Sequence, residues 1–103
     1  MTVHQTARFQ VQEQHLAECI AAIEEFVAYV RDNEADTLLY TSLQQKDDPT
    51  QFIHYFIFKD EAARDIHANS EAVKRFTDIL YPRLVVTVEF TEYSLLTSTQ
   101  PAL

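Results

Sequence analysis

A chain of 103 residues has room for one domain and one core, and at 47% hydrophobic and 12% aromatic it is too apolar to be a disordered segment. Its 16 acidic residues against 8 basic ones give a formal net charge of -8, which repels phosphate backbones and anionic headgroups and argues against nucleic acid or a membrane surface as a partner. The absence of glycine excludes the phosphate-cradling loops of P-loop and dinucleotide sites, while the single cysteine, Cys19, and the lack of a long apolar run make the cytoplasm the expected compartment.

From Val3 to Val11, apolar Val3, Ala7, Phe9 and Val11 alternate with His4, Thr6, Arg8 and Gln10, the period of a strand with two unlike faces. From Gln14 the period lengthens. Leu16, Ile20, Ile23, Val27 and Val30 recur at three- and four-residue steps, which predicts a long amphipathic helix with Cys19 as a buried, inert thiol. The polar stretch 32–36 ends that helix, and Thr37 to Leu43 returns to a β-prone pattern. Lys46 to Thr50, with Pro49 and two aspartates, reads as the turn of a hairpin into a third strand, Phe52 to Phe58. Both faces of that strand are apolar or aromatic, so it is expected to be covered on both sides. Asp60 and Ser70 are candidate N-caps for two further helices, the second carrying Val73, Phe76 and Leu80 on one side and ending before Pro82. Leu84 to Tyr93 predicts a fourth strand. The reading is one domain over residues 1–96 and a polar C-terminal tail over 97–103.

The order strand-helix-strand-strand-helix-strand is that of a ferredoxin-like split βαβ sandwich, an α+β fold with its helices over one face of an antiparallel sheet. One face is then bare. With the helices placed over Ile53, Tyr55 and Ile57, the opposite side chains Phe52, Phe56 and Phe58 form an exposed aromatic patch, and the expected remedy is a homodimer packed sheet to sheet.

The run from Phe52 through His54, Tyr55, Phe56 and Phe58 to Asp60-Glu61-Ala62-Ala63, His67 and Ser70 resembles the central signature of the antibiotic biosynthesis monooxygenase family, whose members include quinol monooxygenases. Asp36 to Tyr40 and Asp47 to Thr50 also look like that family's hairpin. The resemblance implies a dimeric α/β barrel with an apolar cavity in each subunit. Some members there oxygenate a quinol or polycyclic phenol without a cofactor, so the implied partners are a second copy and a small aromatic molecule. Members without known activity are also common, and a non-catalytic small-molecule-binding or stress-response dimer is the alternative. The sequence departs from the family pattern at Asp36, where glycine is usual, at Phe56, where glutamate is usual, and at Phe58, where tryptophan is usual. The last two departures remove a carboxylate and an indole donor.

His67 is the candidate catalytic residue: the resemblance puts the family's recurrent histidine there, and an imidazole can move protons near neutral pH. The competing reading, and the one the residues alone favour, is a partly buried histidine bonding backbone at a helix end. His54, Phe56, Phe58, Arg8 and Tyr40 are the candidate substrate-binding residues. His54 is one polar group among aromatic neighbours, the make-up of either a small-molecule pocket or a satisfied interface. Arg8 is placed to hold a phenolate or to pair with Glu89 on an adjacent strand. No two histidines stand at helical ligand spacing and no HExxH occurs, so no metal site is expected.

Overall fold

The structure is a computed structural model that describes residues 1–100; the end of the expected polar tail, residues 101–103, lies outside the described residues. In chain order the elements are β1 (Val3–Gln10), α1 (Leu16–Asn33), β2 (Thr37–Gln44), β3 (Gln51–Phe58), α2 (Glu61–Ala68), α3 (Glu71–Leu80) and β4 (Glu89–Tyr93). The strands pair antiparallel in the order β2-β3-β1-β4, the ferredoxin-like arrangement expected of this element order. Among the described residues no helix is long and apolar enough to cross a membrane.

Local chemistry sets the boundaries. A short 3-10 turn at Glu13–His15 leads into α1, whose buried stripe Cys19, Ile23, Phe26 and Val30 lies against the sheet. Asp60 caps α2 by accepting from the Ala63 N–H at 2.9 Å, and Ser70 caps α3 by accepting from the Val73 N–H at 3.2 Å. In the β2–β3 hairpin the Asp48 carboxylate accepts from the Thr50 hydroxyl at 2.7 Å and from the Gln51 amide at 3.0 Å, pinning the turn.

The faces of the sheet are the reverse of those expected from β3 alone. Register sets Phe9 opposite Phe52, Ala7 opposite His54 and Val3 opposite Phe58, so these side chains share one face. That face is the one the helices cover, and Phe52, Phe56 and Phe58 are buried in the core with Phe26, Phe76 and Leu80. The physical reason lies in β1: its polar residues His4, Thr6 and Arg8 occupy the other face, so closing the helices over Phe9 and its neighbours buries more apolar surface. On the side the helices do not cover, Ile53 and Tyr55 are half-buried while Ile57, His4 and Thr6 are buried, and His4 Nδ1 and the Tyr55 hydroxyl lie 2.9 Å apart. An exposed Phe52/Phe56/Phe58 patch therefore supplies no reason for a dimer.

The fourth strand is also shorter than the expected Leu84 to Tyr93. Arg8 pairs with Glu89, and Val11 bridges Leu84, so three steps along β1 face five along the returning chain. The surplus residues leave the ladder, and Val85 and Val86 project into solvent.

Candidate functional site

A cavity of about 180 Å³ lies between the sheet and the helices. Tyr40, His54, Phe56 and Phe58 form its floor, and Phe26, His67 and Phe76 reach in from the helices. Tyr40 stacks on Phe56 with centroids 5.0 Å apart and rings 7° from parallel, and Phe26 stacks on Phe76 at 4.6 Å and 4°. Paired rings of this kind are stiff and present apolar faces, which suits a flat aromatic guest. Arg64, Val88 and the exposed Phe90 complete the wall where the cavity approaches solvent.

Two histidines bring polarity into this apolar space, and each is held at one ring nitrogen. His67 lies in the last turn of α2, on the buried side that it shares with Ala63. Its Nδ1 is 2.7 Å from Oε1 of Glu34, with the two side chains 10% and 9% exposed. Glu34 caps the C-terminal end of α1, and its Oε1 also accepts from the Thr37 hydroxyl at 2.9 Å. A carboxylate acceptor calls for a proton on Nδ1, which leaves the Nε2 lone pair available; among the described residues no protein group bonds it. Nε2 can therefore take a proton from a guest, and the imidazolium so formed has its counter-charge in place.

His54 is built differently. It is 1% exposed, and its Nδ1 stands 2.8 Å from the Tyr40 hydroxyl. Burial pushes the imidazole pKa down to about 4, and burial together with the nearby Glu34 charge raises that of Tyr40. Both groups are neutral at physiological pH. Tyr40 keeps its proton and donates it to Nδ1, which puts the proton of His54 on Nε2. That Nε2 is buried without a partner, an unfilled donor in a residue that lines the cavity.

The structure thus brings His67, His54, Phe56, Phe58 and Tyr40 to one cavity. Arg8 is not with them. It alternates onto the uncovered face with His4 and Thr6, and although Glu89 lies directly across from it, no ion pair joins the two. Sequence reasoning missed Glu34, which reads as part of the polar stretch that ends α1. It is 33 residues from His67, so no spacing pattern links the pair. It missed Arg64 as well, along with Phe26 and Phe76 as walls. Cys19 is fully buried, and burial raises its thiol pKa, in keeping with a packing role. No group of three His, Cys, Asp or Glu side chains among the described residues could hold a metal ion.

Comparison with known proteins adds a family and a fold. A family model described as antibiotic biosynthesis monooxygenase matches residues 2–78. A search of curated proteins finds no match. Among solved structures, a candidate antibiotic biosynthesis monooxygenase from Bacteroides thetaiotaomicron superposes with a TM-score of 0.89 at 18% identity, covering 96% of this chain and 93% of that one. A Mycobacterium tuberculosis protein gives 0.88 at 17% identity over 97% of this chain and 100% of its own. A variant of SnoaB, a cofactor-independent oxygenase from Streptomyces nogalater, gives 0.81 at 15% identity over 95% and 96%.

Proposed function

The chain belongs to the antibiotic biosynthesis monooxygenase family, and from that premise we propose that it is a cofactor-independent monooxygenase of a single-ring quinol or phenol bound in the cavity. The observation that carries this reading is the Glu34–His67 pair, which presents an unoccupied Nε2 at the wall of an apolar, aromatic-lined space. His67 takes the hydroxyl proton of the ring, and the phenolate gives an electron to dioxygen. The resulting pair combines at a ring carbon, and the hydroperoxide loses water. A quinol and dioxygen thereby become a hydroxyquinone and water, with every electron supplied by the ring. The His54 Nε2–H donates to a ring oxygen and turns the ring in its slot. The aromatic walls exclude water from the radical pair.

Size narrows the substrate. A cavity of about 150 Å³ accommodates benzene, and drug-sized ligands occupy about 300 Å³ or more. At about 180 Å³ this cavity suits one substituted ring rather than a polycyclic phenol. An oxygen electrode with a panel of one- to three-ring quinols tests the reading. Uptake above the blank, strongest for one ring, is expected. Uptake equal to the blank across the panel, with ring binding retained, would replace the oxygenase with a binding protein.

The same reading includes a homodimer. Its support is the exposed apolar side chains Val85, Val86, Phe90, Leu95 and Leu96, which a second copy would cover. Light scattering at micromolar concentration should return twice the chain mass; a concentration-independent monomer excludes the dimer.

A further inference from the structure

Arg64 is the only Lys or Arg among the residues lining the cavity. It stands three residues before His67 on α2, so the two side chains leave the same helix face about 4.5 Å apart along its axis. That separation is comparable to the span of a single benzene ring. The Arg64 side chain is 28% exposed, yet its guanidinium makes no hydrogen bond among the described residues. Its charge is met only by long ion pairs, at 3.6 Å, to Asp65 and Glu92, whose side chains are themselves mostly exposed. A guanidinium offers five donors in a planar fork, and with those donors met only by two long ion pairs to exposed carboxylates it keeps capacity for an acceptor that arrives with the ligand. The other polar groups of the cavity leave that task to Arg64: His54 is neutral, and His67 is already matched to Glu34.

We propose that the cavity selects a single-ring phenol or quinol bearing a carboxylate, which lies on Arg64 at the mouth while a ring hydroxyl meets Nε2 of His67 deeper in. This rests on the reading of the cavity as the ring's binding site and adds the charge of the substrate to it. The net charge of -8 opposes the approach of any anion, so the preference is made by contact at Arg64 rather than by long-range steering. A para- or meta-substituted ring satisfies both ends at once, and a carboxylate can take two parallel N–H bonds from the fork.

The test is calorimetric titration under nitrogen with two rings that differ only in the acid group, hydroquinone and 2,5-dihydroxybenzoate, against the wild type and Arg64→Gln. The carboxylated ring should bind the wild type about tenfold or more tightly than hydroquinone, and the ratio should fall below about threefold in Arg64→Gln. Reading the ratio cancels any packing loss common to both ligands. Equal affinities in the wild type would overturn the proposal, as would a ratio unchanged in Arg64→Gln, the result expected if only the stem of Arg64 touches the cavity and its head stays in water. Failure of both rings to bind would overturn it too. A wild-type preference for the carboxylated ring that falls in Arg64→Gln, alongside oxygen uptake equal to the blank, would support it while removing the oxygenase reading.

Discussion

The floor and the wall of one cavity hold the same side chain in opposite states. On the floor, His54 is buried in the sheet against a neutral phenol, and desolvation keeps it uncharged. On the wall, His67 is set against a carboxylate at the corner between α1 and β2, so a proton gained there is matched by an existing negative charge. Burial alone disfavours a charged imidazole, whereas burial beside an ionised partner can support one. The partner of Nδ1 therefore decides the chemistry of Nε2: a donor in His54 and an acceptor in His67. One histidine can orient a ring oxygen and the other can deprotonate it.

Removing the acceptor should have the largest effect. His67→Ala is expected to lower oxygen uptake with the preferred quinol by about 10²-fold or more while ring affinity changes less, the usual scale for a lost base. Equal turnover by both proteins in the oxygen electrode would assign proton removal elsewhere and dissolve the contrast between the two imidazoles.

The state of His54 can be read from stability. Unfolded, its imidazole protonates near 6.5; folded, it resists until about 4. Above 6.5 neither state binds the proton and the group contributes nothing to pH dependence. Below 6.5 the unfolded chain binds a proton that the folded one refuses, so stability falls as pH falls, by about 1.4 kcal/mol per pH unit, until the folded pKa is reached. Between pH 6.5 and 5 the wild type should thus lose roughly 2 kcal/mol more than His54→Phe in urea unfolding. Taking the difference between pH values cancels the constant cost of leaving the Tyr40 hydroxyl unpaired. Parallel slopes for the two proteins would mean that His54 is charged in the fold.

Glu34→Gln sharpens the contrast at smaller scale. It keeps the shape but removes the counter-charge, and roughly a tenfold fall in kcat with a nearly constant KM is expected of a group that orients a base. Nitrogen-15 shifts of His67 should show the Nδ1–H tautomer in the wild type and a mixture in the variant. A change confined to KM would make Glu34 a packing residue only.

Much of this architecture is legible from local chemistry. Asp60 and Ser70 announce their helices because a cap is a contact between near neighbours, and α1 announces itself through a repeating stripe. The orientation of β3 is different, since Phe52/Phe56/Phe58 and Ile53/Tyr55/Ile57 are both apolar and alternation alone cannot say which the helices cover. That information sits in β1, and it becomes usable only once the pairing of Phe9 with Phe52 is known. The extra residues after Leu84 are hidden for a similar reason: Leu84 to Val88 has the composition of a strand, and only the two registers on β1 reveal that it leaves the ladder. Within the site, the residue types of the aromatic floor can be read from β3, but the Glu34–His67 pair joins a helix end to another helix across the fold and leaves no periodic trace.

The smallest expected effect comes from Arg8, and its smallness is informative. In sequence Arg8 is as good an anion holder as Arg64, and it lies on a strand that helps to floor the cavity through Ala7 and Phe9. A strand sends successive side chains to opposite faces, so those neighbours fix Arg8 on the uncovered side, where it is exposed and makes no ion pair with Glu89 among the described residues. An exposed, unpaired charge contributes little to stability, and the sheet itself separates it from the ring. Arg8→Ala should therefore shift unfolding free energy by no more than about 0.5 kcal/mol and leave oxygen uptake within about twofold of wild type. Urea unfolding and the oxygen electrode check the two halves separately. A tenfold loss of uptake with stability unchanged would show that ligand is handled on the uncovered face, and the assignment of the chemistry to the two histidines beneath the helices would then be wrong.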